Sequence, residues 1–210
     1  MTFGTRTGRA CCLARRIPYI SRWLVIPLSF ILAVTLAGAA ERWDIDALMS
    51  ALSRIESGEK RYTEIKTMAL LKEPMRLSGT LIYRAPSFLE KRVLSPFEER
   101  YTVDGDSLTI ENPAKGVKQT LSLASQPAIW AFVESIRAPL AGDLATLNRF
   151  YKVSFGGSKR NWLLALVPTE PDMAKLVRFI RIRGSGDRID RVEIEETGGD
   201  TSVMTIEHRP

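Results

Sequence analysis

Few residues in this chain are able to do covalent chemistry. The only histidine is His208, third from the end of the 210 residues. A histidine there is expected in solvent, without the partner that makes a general base. Gly156-Gly157-Ser158 lacks the closing glycine of a nucleophile elbow, and no histidine is placed to serve the serine. Asp104-Gly105-Asp106 opens like a calcium loop but has neither the further ligands nor the closing glutamate. Asp-Gly is instead a strong hairpin signal, because a tight primed turn needs positive φ at its centre. Glu193, Glu195 and Glu196 bring carboxylates close together. Glu193 and Glu195 alternate with Val192 and Ile194, so they read as the solvated face of a strand. Both cysteines, Cys11 and Cys12, lie near the amino terminus. With one histidine and no later thiol, common zinc sites cannot be assembled, and no metal is expected. No phosphate-binding or dinucleotide loop occurs, so no cofactor is expected and the chain is not read as an enzyme.

The amino terminus is an address. Arg6, Arg9, Arg15, Arg16 and Arg22 form a positive leader without acidic residues. An apolar stretch from Trp23 to Leu36 follows and ends in Ala37-Gly38-Ala39, a small-x-small exit. This pattern predicts a cleavable signal peptide over 1–40, cut near Ala39/Ala40, and a periplasmic location. The small-residue exit fits a peptidase site better than an uncleaved anchor, for which the stretch is short. The remainder, 41–210, is long enough for one domain with a sizeable core. The whole chain carries 30 basic and 24 acidic residues, a net charge of +6. Setting aside the five leader arginines leaves 25 basic against 24 acidic, so the high isoelectric point says little about partners. No basic stripe survives to bind nucleic acid.

Several elements would have to position any site. Asp44 is placed to cap a helix with Ile45, Leu48, Met49, Leu52 and Ile55 on one face, ending near Gly58. Strands follow over 61–71, 75–83, 88–94 and 99–103, then around Leu108, Ile110, Val117 and Leu121. Met75, Leu77, Leu81 and Tyr83 alternate with Arg76, Ser78, Thr80 and Arg84. The middle turns helical, with Ile129, Trp130, Phe132, Val133 and Ile136 forming an apolar face before Pro139 stops or kinks the helix. Asp143 caps a second short helix. Strands return over 151–155, 161–167, 176–183, 188–195 and 201–207, with a short helical turn at Pro171-Asp172. The order predicts an α+β fold: a strongly curved antiparallel sheet, an incomplete β-barrel, closed by helices.

Trp162-Leu163-Leu164-Ala165-Leu166-Val167 is apolar on both faces. Either a central strand is covered on both sides, or an inner face lines a cavity that the chain does not fill itself. In the second case the helix with Trp130 and Phe132 is a lid.

An ordered set of segments points to a family. Tyr62-Thr63-Glu64 follows the opening helix, then Gly79-Thr80-Leu81-Ile82-Tyr83-Arg84-Ala85-Pro86, then Val103-Asp104-Gly105-Asp106-Ser107-Leu108. In this the chain resembles the LolA family of periplasmic outer-membrane lipoprotein carriers, most of all its LolA-related branch. The resemblance covers about 43–207. It implies a LolA-like half-barrel that shelters the acyl chains of lipoproteins or another lipid for transfer toward the outer membrane. The implied partners are that cargo, a transient inner-membrane donor and a transient outer-membrane acceptor, met by a monomer. Leu81, Tyr83, Phe88, Trp130, Phe132, Ile136, Ile182, Val192 and Ile194 are then the candidate cavity residues, and each could equally be core. Carriers of this family place an arginine directly before the proline, where it holds the lid closed. Here that position is Ala85, and Arg84 stands one residue earlier. A shift of one turns a strand side chain to the other face unless a bulge restores its aim. Arg84 is the candidate lid contact. The alternative reading is an envelope-sensing or regulatory binding domain of the same fold.

Overall fold

A computed structural model describes residues 43–208. The expected signal peptide and its cleavage point lie outside the described residues. Asp44 caps helix α1 (Ile45–Leu52), its carboxylate accepting from the Ala47 N–H at 3.0 Å. The helix stops short of Gly58, because Ser57 and Gly58 already pair with Arg84 and Tyr83 across two strands. Ile55 has left the helix yet still packs against the core.

Six strands then run in sequence: β1 (Ser57–Thr67), β2 (Met75–Arg84), β3 (Phe88–Ser95), β4 (Glu99–Asp104), β5 (Ser107–Asn112) and β6 (Val117–Ser122). Helices α2 (Pro127–Ala141) and α3 (Leu144–Phe150) follow. Strands β7 (Tyr151–Ser158) and β8 (Asn161–Pro168), the turn α4 (Pro171–Ala174), and strands β9 (Val177–Ser185), β10 (Arg188–Glu196) and β11 (Thr201–Glu207) complete the order. All eleven strands form one curved, unclosed sheet in the order β6-β5-β4-β3-β2-β1-β11-β10-β9-β8-β7, antiparallel throughout. The first and last strands meet at its centre, with Tyr62 opposite Ile206. The fold is α+β, as the sequence predicts.

Helix α2 does not end at Pro139. Proline forfeits one backbone bond, and the helix runs on to Gly142. Gly142 has φ of 71°, and its N–H reaches the Ala138 and Pro139 carbonyls. A Cβ there would stand 2.7 Å from the Cβ of Ser53, so this glycine also lets the ends of α1 and α2 touch.

Opposed residues of an antiparallel ladder share a face. On the inner face Leu164, Ile182 and Val192 lie in register and pack under Leu48, Leu52, Ala131 and Leu147 from the helices. Each fully buried leucine or isoleucine here contributes roughly 1.5–3 kcal/mol. A smaller cluster under the other half joins Val103, Leu108, Leu123 and Val133. The apolar outer positions of β8 are explained by their neighbours: Leu163 and Ala165 lie opposite Arg183 and Arg181, whose stems can cover them.

Gly79 sits at a register shift between β2 and β3. A Cβ there would lie 1.8 Å from the Arg92 carbonyl oxygen and 3.1 Å from the Tyr62 ring. Gly79→Ala is therefore expected to cost about 3 kcal/mol, read as a lowered urea midpoint. An unchanged midpoint would show that β3 yields freely at this point.

Candidate functional site

The inner face is not uniform. Trp130 packs against both apolar clusters and so joins them. Its ring stands 5.3 Å from Phe150, and its Nε1–H donates to Glu134 Oε1 at 2.9 Å. Glu134 is buried and also accepts from Arg137, which donates onward from Nη1 to the Gly105 carbonyl at 2.5 Å. The middle helix is thus tied to the β4–β5 hairpin by a side chain of its own.

Between the clusters runs a polar seam. The ladder places Tyr62, Glu64, Leu77, Gly79, Leu81, Tyr83, Lys91 and Tyr101 on the inner face. Lys91 on β3 reaches past Gly79 to Glu64 on β1, Nζ to Oε2 2.6 Å, and its ammonium lies 5.3 Å from the Tyr62 ring centroid. Glu64 also accepts from the Ser202 hydroxyl at 2.7 Å and has Lys66 at 3.8 Å. Further along, the Tyr101 hydroxyl donates to Glu99 at 2.7 Å, and the Asn112 amide donates to the same carboxylate at 3.0 Å.

The electrostatics follow from burial and pairing. Burial alone would raise the Glu64 carboxyl, but the Lys91 ammonium, the bonds from Lys91 and Ser202, and Lys66 outweigh it and hold it low. Burial pulls Lys91 down, and Glu64 only partly restores it. Burial, then the Glu99 bond and charge, push Tyr101 up to about 12. Tyr62 and Tyr83 are raised, chiefly by burial.

The candidate residues fall into two groups. Leu81, Tyr83, Ile182, Val192 and Ile194 lie on the inner strand face, and Trp130 and Ile136 pack beneath it from α2. Ile182 and Val192 are core residues under the helices. Phe88 lies elsewhere, because it pairs with Arg84 on the opposite face from Tyr83. Phe132, 41% exposed, points off α2 away from both clusters. Arg84 does not meet the helix. The β2–β3 register is unbroken from Gly79 to Arg84, so no bulge re-aims it, and its guanidinium lies over Phe88 at 4.5 Å. His208 is half-buried, not free in solvent. It bonds the Ile189 carbonyl at 3.0 Å and lies 2.9 Å from Asp190. Glu193 pairs with Arg191 and Arg183, and Glu195 with Arg178, consistent with an outer face. The sequence marks Glu64 only as part of the Tyr62-Thr63-Glu64 segment, and nothing in it marks Lys91. The inward phase of Glu64, alternating with Tyr62, was the available signal.

Two surface hollows are lined by none of the candidate cavity residues, although Glu99 borders the first. One, about 380 Å³, is lined by charged ends of β3 to β6, including Arg92, Arg100, Glu111 and Lys118. The other, about 600 Å³, lies beside Trp43 and Gly156 to Lys159. Large apolar side chains are exposed along one rim of the sheet: Leu70 and Leu71, Leu94 and Phe97, Val117, Val167 and Leu176. Among the described residues there is no acid–histidine–cysteine group able to hold a metal ion. Nor is any described helix long and apolar enough to cross a membrane.

A curved, unclosed antiparallel sheet whose inner face is covered by helices is a half-barrel fold. Residues 37–206 match the family described as outer membrane lipoprotein carrier protein LolA-like, and the chain belongs to that family. Similar solved structures include a LolA superfamily protein from Nitrosomonas europaea, at 10% identity and TM-score 0.43, covering 80% of this chain and 93% of that one. A DUF1329 family protein from Desulfovibrio piger has 9% identity and TM-score 0.44, covering 79% and 89%. A Pseudomonas aeruginosa MucA/MucB complex has 12% identity and TM-score 0.42, covering 80% and 59%. No curated protein matches this chain.

The seam carries a pH signature. With the folded Glu64 pKa below its ordinary value of 4.5, the unfolded chain takes up the proton first. Its stabilisation is complete above that value and is lost as pH falls through the lower folded one. Glu64→Gln should start less stable at neutral pH by about 1–3 kcal/mol. It should then lose less stability than the native protein between about pH 4.5 and 2 in urea titrations. Parallel acid limbs would sink this assignment.

Proposed function

We propose that this protein is a periplasmic carrier that shelters the acyl chains of lipoproteins, or of another lipid, for transfer toward the outer membrane. The observation that carries this reading is the cover of the inner face. Helix α2 contributes side chains to both apolar clusters, and Arg137 ties it to the β4–β5 hairpin through the Gly105 carbonyl. Drawing α2 back would uncover apolar side chains on both sides of the polar seam. The need for such shelter is large. At roughly 0.8 kcal/mol per methylene, exposing a chain of about 16 carbons to water costs on the order of 12 kcal/mol.

Membership of the LolA-like family supports the reading, and so does the amino-terminal leader. A monomeric carrier meets an inner-membrane donor and an outer-membrane acceptor only in passing. The rim bearing Leu70, Phe97 and Leu176 supports short-lived apolar contacts of that kind.

The protein purified from the periplasm of its native host is expected to yield acyl lipid or an acylated lipoprotein in near-stoichiometric amount. Mass spectrometry of an organic extract reads this directly and names the cargo. A clean extract from well-folded protein would overturn the carrier reading and favour a regulator that binds protein.

A further inference from the structure

One end of the sheet carries exposed leucines on braced turns. Four adjacent strands reach this end together. Thr67 of β1 lies opposite Thr201 of β11, Thr201 opposite Glu195 of β10, and Glu196 opposite Val177 of β9. At about 4.8 Å per strand, β1 and β9 stand roughly 14 Å apart there. Leu70 and Leu71 lie just past the end of β1, and Leu176 directly precedes β9. Their exposures are 94%, 40% and 59%. A leucine exposed singly is ordinary, but these three share one narrow platform.

The platform is held by hydrogen bonds from one turn. The Asp200 carboxylate accepts from the Ala69 N–H, beside Leu70, at 2.8 Å. The Leu71 N–H donates to the Met68 carbonyl at 2.9 Å. From the same β10–β11 turn, the Thr197 N–H donates to the Leu176 carbonyl at 2.9 Å, and the Thr197 hydroxyl donates to the Ala174 carbonyl at 3.1 Å. One turn thus braces both leucine-bearing loops. The charge around them is one-sided. Glu73, Glu170, Asp172, Glu196 and Asp200 stand in these turns against Lys72 and Lys175. The adjoining strand ends add Lys66, Arg76 and Arg178 against Glu64 and Glu195, which leaves the surplus acidic. Lys175 is paired with Asp172 and Arg178 with Glu195, each at 2.7 Å, whereas Glu73 and Glu196 have no ion-pair partner among the described residues.

An apolar centre set among carboxylates fits a partner whose apolar side chains are accompanied by lysine or arginine. The same carboxylates would repel an anionic bilayer surface. We infer that this platform is the docking face for a protein segment of that chemistry, apolar and basic, with Leu70 and Leu176 as its anchors. The inference does not rest on the carrier reading, because a regulator of the same fold would use this face in the same way.

The test uses the full chain, exported with its own leader in its native host. The photo-crosslinker p-benzoyl-phenylalanine is placed at Leu70, at Leu176 or, as a control at the opposite end of the sheet, at Lys159 in the β7–β8 turn. Adducts formed under light are mapped by mass spectrometry. Positions 70 and 176 should give the same protein adduct, on an apolar segment with more lysine and arginine than acid, and position 159 should give none. Glu73→Lys with Glu196→Lys should lower that yield about ten-fold, and changing the mapped basic residues of the partner to glutamate should restore it. Leu70→Ser should lower the adduct from position 176 and leave the urea midpoint unchanged, because the side chain is exposed. Adducts to lipid alone would assign the platform to a membrane and overturn the inference. An acidic contact segment, a yield indifferent to charge reversal, or no adduct at all would overturn it as well. The carrier reading is decided separately, by the organic extract of the unlabelled protein.

Discussion

A sheet that curves without closing must cover its inner face with something other than itself. Eleven strands in one antiparallel order leave two free edges, β6 and β7, and one large inner surface. The cover comes from helices inserted before β1, between β6 and β7, and between β8 and β9. That supply is unequal. Helices α1, α3 and α4 and much of α2 pack with β7 to β10, where Trp162, Leu164, Leu166, Ile180 and Ile182 are wholly buried. The β3 to β6 half receives chiefly the first turns of α2 and a smaller cluster. One half is therefore a packed core, and the other is covered more thinly.

The polar seam lies where those halves meet. A buried carboxylate or ammonium alone is expensive, and each here is tolerated because the other is within bonding distance. The geometry depends on Gly79. Without a Cβ it lets the Arg92 carbonyl approach, gives room to the Tyr62 ring, and leaves a path by which Lys91 reaches Glu64 two strands away. Such a pair is weak support for stability, because desolvation offsets most of its attraction. Its effect is on arrangement, because it fixes which side chains face one another across the centre of the sheet.

The cover is held differently from the way the sequence suggests. An arginine on β2 was the expected contact, by resemblance. The bond instead runs from Arg137 on the helix to the hairpin carbonyl of Gly105, with Glu134 and Trp130 arranging the guanidinium. Arg84 is committed to Phe88 on the other face. A single residue of register separates the two outcomes, and strand geometry allows nothing between them.

The local elements are legible in the sequence, because their causes are local. Asp44 and Asp143 cap helices through their own first-turn N–H groups. Asp104-Gly105 turns a hairpin, and the alternation from Met75 to Tyr83 makes a strand. Where a local rule met a tertiary competitor it gave way: β-pairing ended α1 before Gly58, and the Gly142 cap carried α2 past Pro139. Which face of each element turns inward, and what it meets there, depends on the assembled sheet. Phe88 and Phe132 are as apolar as their neighbours, yet ladder register and helix phase send them outward. Glu64 lies 27 residues from Lys91 and 138 from Ser202 in the chain, and no periodicity spans such separations. Their meeting depends on closing long loops in one register, and only the folded sheet supplies that.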